Sequence, residues 1–149
     1  MLRSPIGGKT LTAQVATTGA TGASSAFTFP TMDFEALVFA LTASSVSATA
    51  TLNVWVQGTF DGGLTWYDML KFPTISASSA NPYFGLATAV GNNSMIGNVG
   101  ASTVTSTAGG VGIPLMSPTV RTYWSLGGTT PSASFTLQAY QHQFDRGGI

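Results

Sequence analysis

The sequence predicts an all-β domain, either a jelly roll or another β-sandwich. No stretch keeps apolar residues at the three-to-four spacing of an amphipathic helix. Instead, short runs rich in Thr, Val, Phe, Tyr and Trp are cut by Gly, Pro and Ser, which is the usual pattern of strands and turns. Seven or eight such strands fit within 149 residues, and this number favours two packed sheets over one.

The predicted strands span most of the chain. They lie at residues 11–16, 26–29, 34–42, 52–60, 65–72, 120–126 and 134–144. Residues 1–10 are predicted as a flexible N-terminal arm, and residues 11–149 as the single domain. From about residue 76 to 118 the chain is rich in Gly, Ser, Asn, Ala and Thr, which predicts a long loop. The alternative is one or two weak strands there, at 94–99 and 101–107.

Charge is scarce along the whole chain. Charged residues make up 7% of it, against about a quarter in typical soluble domains. Five acidic residues balance five basic ones, and 44% of the residues are hydrophobic, so the chain is expected to fold. A surface with so little charge is poorly protected against association. We therefore expect much of it to be buried against further copies or a larger assembly.

The sequence offers little for catalysis or for a metal or other cofactor. Asp33 and Glu35 share a predicted strand face, as in a two-carboxylate glycosidase, but two charges at an exposed strand start explain them more simply. His142 lies near Asp145, yet no Gly-x-Ser-x-Gly turn positions a nucleophile. One histidine without any cysteine does not make a common zinc site. The prediction is a non-enzymatic protein with no cofactor and no metal.

Nucleic acid and membrane are also not expected as partners. The five basic residues are scattered and the net charge is zero, whereas nucleic-acid binding needs clustered cations. The longest apolar run, residues 36–41, is far shorter than the ~20 residues of a membrane-spanning helix. Arg3 and Lys9 are followed by no apolar stretch, so the start does not resemble a secretory signal.

The clearest local feature is a predicted hairpin over residues 52–72. Two alternating runs flank Asp61-Gly62-Gly63, and Asp-Gly between such runs favours a tight turn. A three-residue loop gives one coherent apolar face and places Gly58 opposite Trp66, with room for the indole. A two-residue loop scatters the apolar residues over both faces. The three-residue loop, with a glycine in the left-handed region, is therefore predicted.

Asp68 departs from this hairpin pattern. The predicted register places it opposite Val56, on the apolar face. Because a buried carboxylate needs a partner, Arg121 or a backbone amide is expected to bind it.

Aromatic residues allow two interpretations. Trp55, Tyr67 and Tyr123 can form a stacking platform for sugars, but packing in the core or at an interface is the commoner role of large aromatic residues.

The turn resembles an Asp-box, the Ser/Thr-x-Asp-x-Gly-x-Thr-Trp hairpin of sialidase propellers and several unrelated β-proteins. Thr59, Asp61, Gly63, Thr65 and Trp66 occupy its defined positions. The resemblance implies a structural role, in which the aspartate accepts bonds from turn amides and the tryptophan packs beneath. Together with Gly58, these residues form the predicted structural hairpin.

Three segments resemble capsid cement or decoration proteins of tailed bacteriophages. They are residues 34–41, residues 52–68 and residues 120–132 leading into Phe135. The resemblance implies a jelly-roll or β-sandwich fold and a homotrimer on the capsid exterior, bound to the major capsid protein. It also implies a virion protein that is made in the cytoplasm of the host bacterium.

Candidate contacts with the partner come from the arm and the hairpin. They are Met1, Leu2, Arg3, Pro5, Trp55 and Tyr67. Removal of residues 1–9 is expected to leave the domain folded and to weaken its attachment. The alternative function is a carbohydrate-binding or adhesin module of a phage tail that uses Trp55 and neighbouring loops.

Overall fold

The computed structural model describes residues 6–17, 21–29, 36–76, 82–88 and 117–142. Within these ranges the regular structure is entirely β-strand, which confirms the predicted all-β class. The ten strands are β1 (Ile6–Thr17), β2 (Thr21–Ala23), β3 (Phe27–Thr28), β4 (Ala36–Val46), β5 (Thr51–Thr59), β6 (Tyr67–Lys71), β7 (Ile75–Ser76), β8 (Pro82–Thr88), β9 (Thr119–Gly127) and β10 (Ser132–His142).

The strands form two antiparallel sheets. The first has the order β1-β10-β4-β8. In the second, β9 and β5 pair at the centre; β2 and β3 both pair with β9, and β6 and β7 both pair with β5. Each sheet therefore has four strand positions, if β2 with β3 and β6 with β7 count as interrupted strands.

One apolar core lies between the two sheets. Along β9 buried residues alternate with partly exposed ones, as expected of a strand with one face on the core. Trp124 of β9 meets Phe135 of β10 edge-on, with ring centroids 5.8 Å apart, and so joins the two sheets. Burial of each large apolar side chain contributes about 1.5–3 kcal/mol. The fully buried ones include Leu37, Phe39, Leu41, Leu52, Val54, Val56, Phe72, Ile75, Phe135 and Leu137.

The N-terminal strand begins earlier than predicted. Strand β1 starts at Ile6, which pairs with Gln141, and Thr10 pairs with Gln138. Residues 6–10 therefore belong to the first sheet rather than to a flexible arm, because their backbone groups add to the ladder of β10. Removal of residues 1–9 would therefore also remove the first four residues of β1, residues 6–9. Residues 1–5 of the predicted arm lie outside the described residues.

The predicted loop from about 76 to 118 contains a strand. Strand β8 pairs with β4 over its whole length, from Ala36 with Thr88 to Thr42 with Pro82. It escaped prediction because Pro82 and Gly85 are typical of turns. The alternative weak strands at 94–99 and 101–107 lie outside the described residues.

Two connections between the sheets are bonded to each other. Residues 47–50 join β4 to β5, and residues 128–131 join β9 to β10. The Thr49 hydroxyl donates to the Thr129 carbonyl at 2.6 Å. The Ser47 amide donates to the Ser132 carbonyl at 2.9 Å, and the Ser132 amide donates to the Ser47 hydroxyl at 3.0 Å. This end of the sandwich is thus closed by hydrogen bonds.

The inner face of β9 carries an unsatisfied hydroxyl. Thr122 is fully buried opposite Val56, and its Oγ1 has no hydrogen-bond partner in the part of the chain that the structure describes. Because valine has nearly the same shape, Thr122→Val is expected to raise the free energy of unfolding by about 1 kcal/mol. Urea denaturation measures this. Thr136→Val, at a partly exposed position of β10, is the control and is expected to change stability by less than ~0.5 kcal/mol. A clear loss of stability in Thr122→Val would contradict the assignment.

Candidate interaction surface

The candidate site is the side of β5, β6 and β9 that faces away from the core, together with the turn at residues 60–66. We call it the outer face. Its shape depends on the register of β5 and β6. Trp55 pairs with Lys71 and Val56 with Leu70, but Gln57 pairs with Asp68. Met69 is therefore an extra residue in β6, a β-bulge.

The predicted three-residue loop is wrong. Strand β5 ends at Thr59 and β6 begins at Tyr67, so seven residues connect them. Val56 lies opposite Leu70 rather than Asp68, and Gly58 lies opposite Tyr67 rather than Trp66. Two shifts separate the prediction from the structure. The longer connection moves the pairing by one residue, to Gly58 with Tyr67, and the bulge at Met69 moves it by one more, to Val56 with Leu70.

Gly58 leaves room for residues other than the indole. A Cβ atom at Gly58 would lie 2.5 Å from the sulfur of Met69 and 2.7 Å from the Cβ of Ser117. The expectation that Gly58 accommodates Trp66 is therefore corrected. The absent side chain allows Ser117 to approach the end of β5.

Ser117 is a structural residue that could not be selected from the sequence. Its buried hydroxyl accepts hydrogen bonds from the amides of Thr59, at 3.2 Å, and Thr119, at 3.1 Å. It donates to the carbonyl of Thr59 or to that of Thr119. It thereby ties the end of β5 to the start of β9. A serine before a strand in a Ser-rich region carries no recognisable signal.

The turn is held by Thr59 and Asp61. The Thr59 hydroxyl donates to Asp61 Oδ1 at 2.8 Å and accepts from the Gly63 amide at 2.9 Å, and the Thr65 amide donates to Asp61 Oδ1 at 2.8 Å. Hydrogen bonds from the Thr65 amide, the Thr65 hydroxyl and the Thr59 hydroxyl lower the pKa of Asp61 from 3.8 to about 2. Gly62 and Gly63 have φ values of 73° and 98°, so both occupy the left-handed region.

Two large apolar side chains of the turn are exposed. Leu64 is 89% exposed and Phe60 is 55% exposed. The Phe60 ring lies beside that of Tyr67, with centroids 6.1 Å apart. The turn therefore exposes apolar surface next to the first residue of β6.

A buried polar chain crosses the outer face from β6 to β9. Gln57 Nε2 donates to Asp68 Oδ1 at 2.7 Å, and Arg121 Nε donates to Gln57 Oε1 at 2.9 Å. Gln57 is 0% exposed and Asp68 is 4% exposed. Asp68 is thus buried and partnered as expected, but its partner is Gln57, and Arg121 is reached only through that side chain.

Burial dominates the titration of Asp68. Loss of solvation raises the pKa of this carboxyl above its ordinary value, against the lowering effects of the Gln57 hydrogen bond and of the Lys71 and Arg121 charges. The Asp68 carboxyl group therefore has Gln57 as its hydrogen-bond partner and is shielded from solvent.

Arg121 lies over the indole of Trp66. Its Cζ atom is 4.2 Å from the ring centroid, which is cation–π geometry. A Cβ atom at Gly63 would lie 3.5 Å from the same ring, so Trp66 sits beside the turn rather than beside Gly58. Both side chains are partly exposed.

Trp55 is enclosed on the outer face. It is 5% exposed, its ring centroid lies 5.5 Å from that of Tyr123, and the Lys71 Nζ atom is 5.3 Å from its ring centroid. A sugar or a partner would reach its ring only after neighbouring side chains moved. Tyr67 and Tyr123 are partly exposed. The predicted contacts Met1, Leu2, Arg3 and Pro5 lie outside the described residues.

Four of the five charged residues in the described ranges lie in this region, and the fifth, Lys9, belongs to β1. Of the side chains whose placement is described, four are charged: Asp61, Asp68, Lys71 and Arg121. Each makes a contact given above, with the turn, Gln57, Trp55 or Trp66. The other described side chains of both sheets are uncharged.

The residues considered for catalysis or metal binding lie partly within the described ranges. Within the described ranges, no three His, Cys, Asp or Glu side chains cluster as metal ligands. His142 ends β10 opposite Ala36, while Asp33, Glu35 and Asp145 lie outside those ranges.

No protein-family model matches the sequence, and comparison with curated proteins gives no match. In the described residues there is no helix of a length and hydrophobicity that would cross a bilayer.

Proposed function

We propose that the chain is a non-enzymatic virion structural protein that binds and stabilises a phage capsid, as cement or decoration proteins do. It would sit on the capsid exterior, as a homotrimer on the major capsid protein. The observation that carries the proposal is the scarcity of charge: of the five charged residues in the described ranges, four lie at the outer face or its turn, and the fifth, Lys9, belongs to β1. A surface with so little charge favours association, so it fits a subunit of an assembly better than a free monomer.

The strand order supports the finer jelly-roll assignment. Strands β1, β4, β8 and β10 form the first sheet, and the strands between them in the chain form the second. Every connection between strand positions therefore crosses to the other sheet, except the one from β5 to β6. Two four-stranded sheets linked by repeated crossings are typical of jelly rolls, which occur in viral capsid proteins and in lectins. A shared fold does not determine function, so the strand order is compatible both with the capsid role and with a carbohydrate-binding role.

Copy number tests the proposal. In purified phage particles that contain this chain, quantitative mass spectrometry against the major capsid protein is expected to give hundreds of copies per particle, because a capsid repeats one contact over its symmetric lattice. A handful of copies per particle, or copies that purify with tails, would contradict a capsid role.

One observation favours a second candidate, the carbohydrate-binding or adhesin module of a phage tail. Tyr123 and Trp66 are partly exposed, Tyr123 on the same face as Arg121 and Trp66 against its guanidinium, and aromatic rings beside polar groups bind sugars. Trp55 contributes less than the sequence suggested, because it is 5% exposed. Low copy number together with binding to a glycan array would favour this candidate.

A further inference from the structure

We propose that Arg121, held over Trp66, is the anchor by which the chain binds a carboxylate on a partner protein of its assembly. The inference rests on the proposed function for the identity of the partner as a protein.

The guanidinium of Arg121 is fixed before any partner arrives. Its Nε donates to Gln57 Oε1 at 2.9 Å, and Gln57 is itself fixed by its bond to buried Asp68. The indole of Trp66 lies against it at 4.2 Å. A side chain held in this way loses little conformational entropy on binding, so more of the contact energy appears as affinity.

The donors that remain on Arg121 are the ones that recognise carboxylates. Among the described residues, no group accepts a hydrogen bond from its two terminal Nη atoms, and the side chain is partly exposed. Two parallel N–H groups on a planar fork match the two oxygens of a carboxylate. The guanidinium thus has one edge occupied by Gln57 and its remaining donors unused.

Arg121 itself supplies the local attraction for an anion. Arg121 and Lys71 place two positive charges on the outer face, and the nearby Asp68 is buried and bonded to Gln57. Asp61, in the same turn as Trp66, keeps its negative charge while it accepts from the amide of Thr65, so the two basic residues of this face are matched by two acidic ones. The attraction for an anion therefore comes from the exposed, unused donors of Arg121 and not from a net positive face.

The neighbours of Arg121 favour a protein as the source of the carboxylate. Leu64 and Phe60 expose apolar surface from the same turn that supplies Trp66. Arginine, tryptophan and tyrosine beside apolar side chains are the composition of interface hot spots. An acidic side chain of the partner would bind Arg121 while apolar groups around it cover the turn.

The experiment adds purified protein back to phage particles assembled without this chain and measures bound copies against free concentration. Arg121→Met is expected to weaken attachment about tenfold or more, as at an arginine hot spot. Arg121→Lys is expected to weaken it too, because an ammonium keeps the charge but loses both the Gln57 bond and the fork. Thermal unfolding of each variant shows whether it is folded. If Arg121→Met is unfolded, the attachment of folded Arg121→Lys, compared with that of wild type, tests the inference.

Salt separates a charge contact from a merely structural effect. Wild-type attachment is expected to weaken as NaCl rises from about 50 mM to about 500 mM, and attachment of Arg121→Met is expected to change much less. Equal attachment of wild type and both variants, or equal salt dependence, would overturn the inference and leave the capsid role standing. Wild type that does not attach at all would instead refute the capsid role.

A separate binding experiment tests acidic sugars as the source of the carboxylate. Wild type and Arg121→Met are applied to immobilised polygalacturonate and sialyllactose. We expect no Arg121-dependent binding to either. Binding that is lost in Arg121→Met would place the carboxylate on a sugar and overturn the assignment to a partner protein.

Discussion

Gly128→Ala is expected to lower the free energy of unfolding by about 3 kcal/mol or more. Gly128 has a φ of 122°, which L-residues rarely adopt, and an added Cβ would overlap the carbonyl oxygen of Thr49. The same Cβ would lie 2.9 Å from the Thr49 carbonyl carbon, so the obstacle is backbone and cannot rotate away. The substitution would push apart the two connections that close one end of the sandwich.

Gly127→Ala is the matched control for this substitution. The neighbouring glycine lies at the end of β9, and an added Cβ would meet only the Thr51 hydroxyl, at 3.0 Å. A flexible hydroxyl can move, so the loss is expected to stay below ~1 kcal/mol. Urea denaturation of both variants gives the comparison. Equal stability of the two would show that the connections are not held together as described.

Gln57→Leu is expected to cost about 3 kcal/mol at neutral pH and clearly less near pH 4. Leucine has a similar volume but cannot donate to Asp68, which is 4% exposed and would lose its hydrogen bond. Burial already raises the pKa of Asp68, so its ionised form destabilises the native state as pH rises above 3.8. Without the Gln57 bond the pKa rises further, and the penalty grows with pH. Denaturation curves at the two pH values measure the difference.

Asp68→Asn provides the control for the charge. Asparagine keeps an oxygen that accepts from Gln57 Nε2 but carries no charge to desolvate, so it is expected to be neutral or stabilising at pH 7. In the Asp68→Asn background, Gln57→Leu is expected to cost less and to lose most of its pH dependence. The same cost at both pH values in the wild-type background would argue against a buried, ionisable Asp68.

Most of the long strands could be predicted from the sequence because alternation is a local property. Strands β5, β9 and β10 begin and end within two residues of prediction wherever their ends are described. Strand β8 and the early start of β1 were missed. Their residues include Gly and Pro, and they become strands only because β4 and β10 offer ladders to pair with.

The interaction surface was predictable only in part. The turn motif is local, so Thr59, Asp61 and Gly63 were found by their spacing. The seven-residue connection places Asp68 opposite Gln57, and the Met69 bulge places Val56 opposite Leu70; neither feature is visible in a pattern of alternation. Gln57 and Arg121 are 64 positions apart, and they meet only because β5 lies beside β9. No local pattern carries that information.

The contact between Arg121 and Trp66 also gives the protein a built-in optical signal. The chain has three tryptophans, of which Trp124 and Trp55 are 7% and 5% exposed, while Trp66 is partly exposed. Indole emission responds to nearby charge and to water, and the guanidinium 4.2 Å away supplies that charge. A carboxylate that bound Arg121 would neutralise it and exclude water from the ring. Docking can therefore be followed by tryptophan fluorescence, without a label, in a variant whose other two indoles are replaced by phenylalanine.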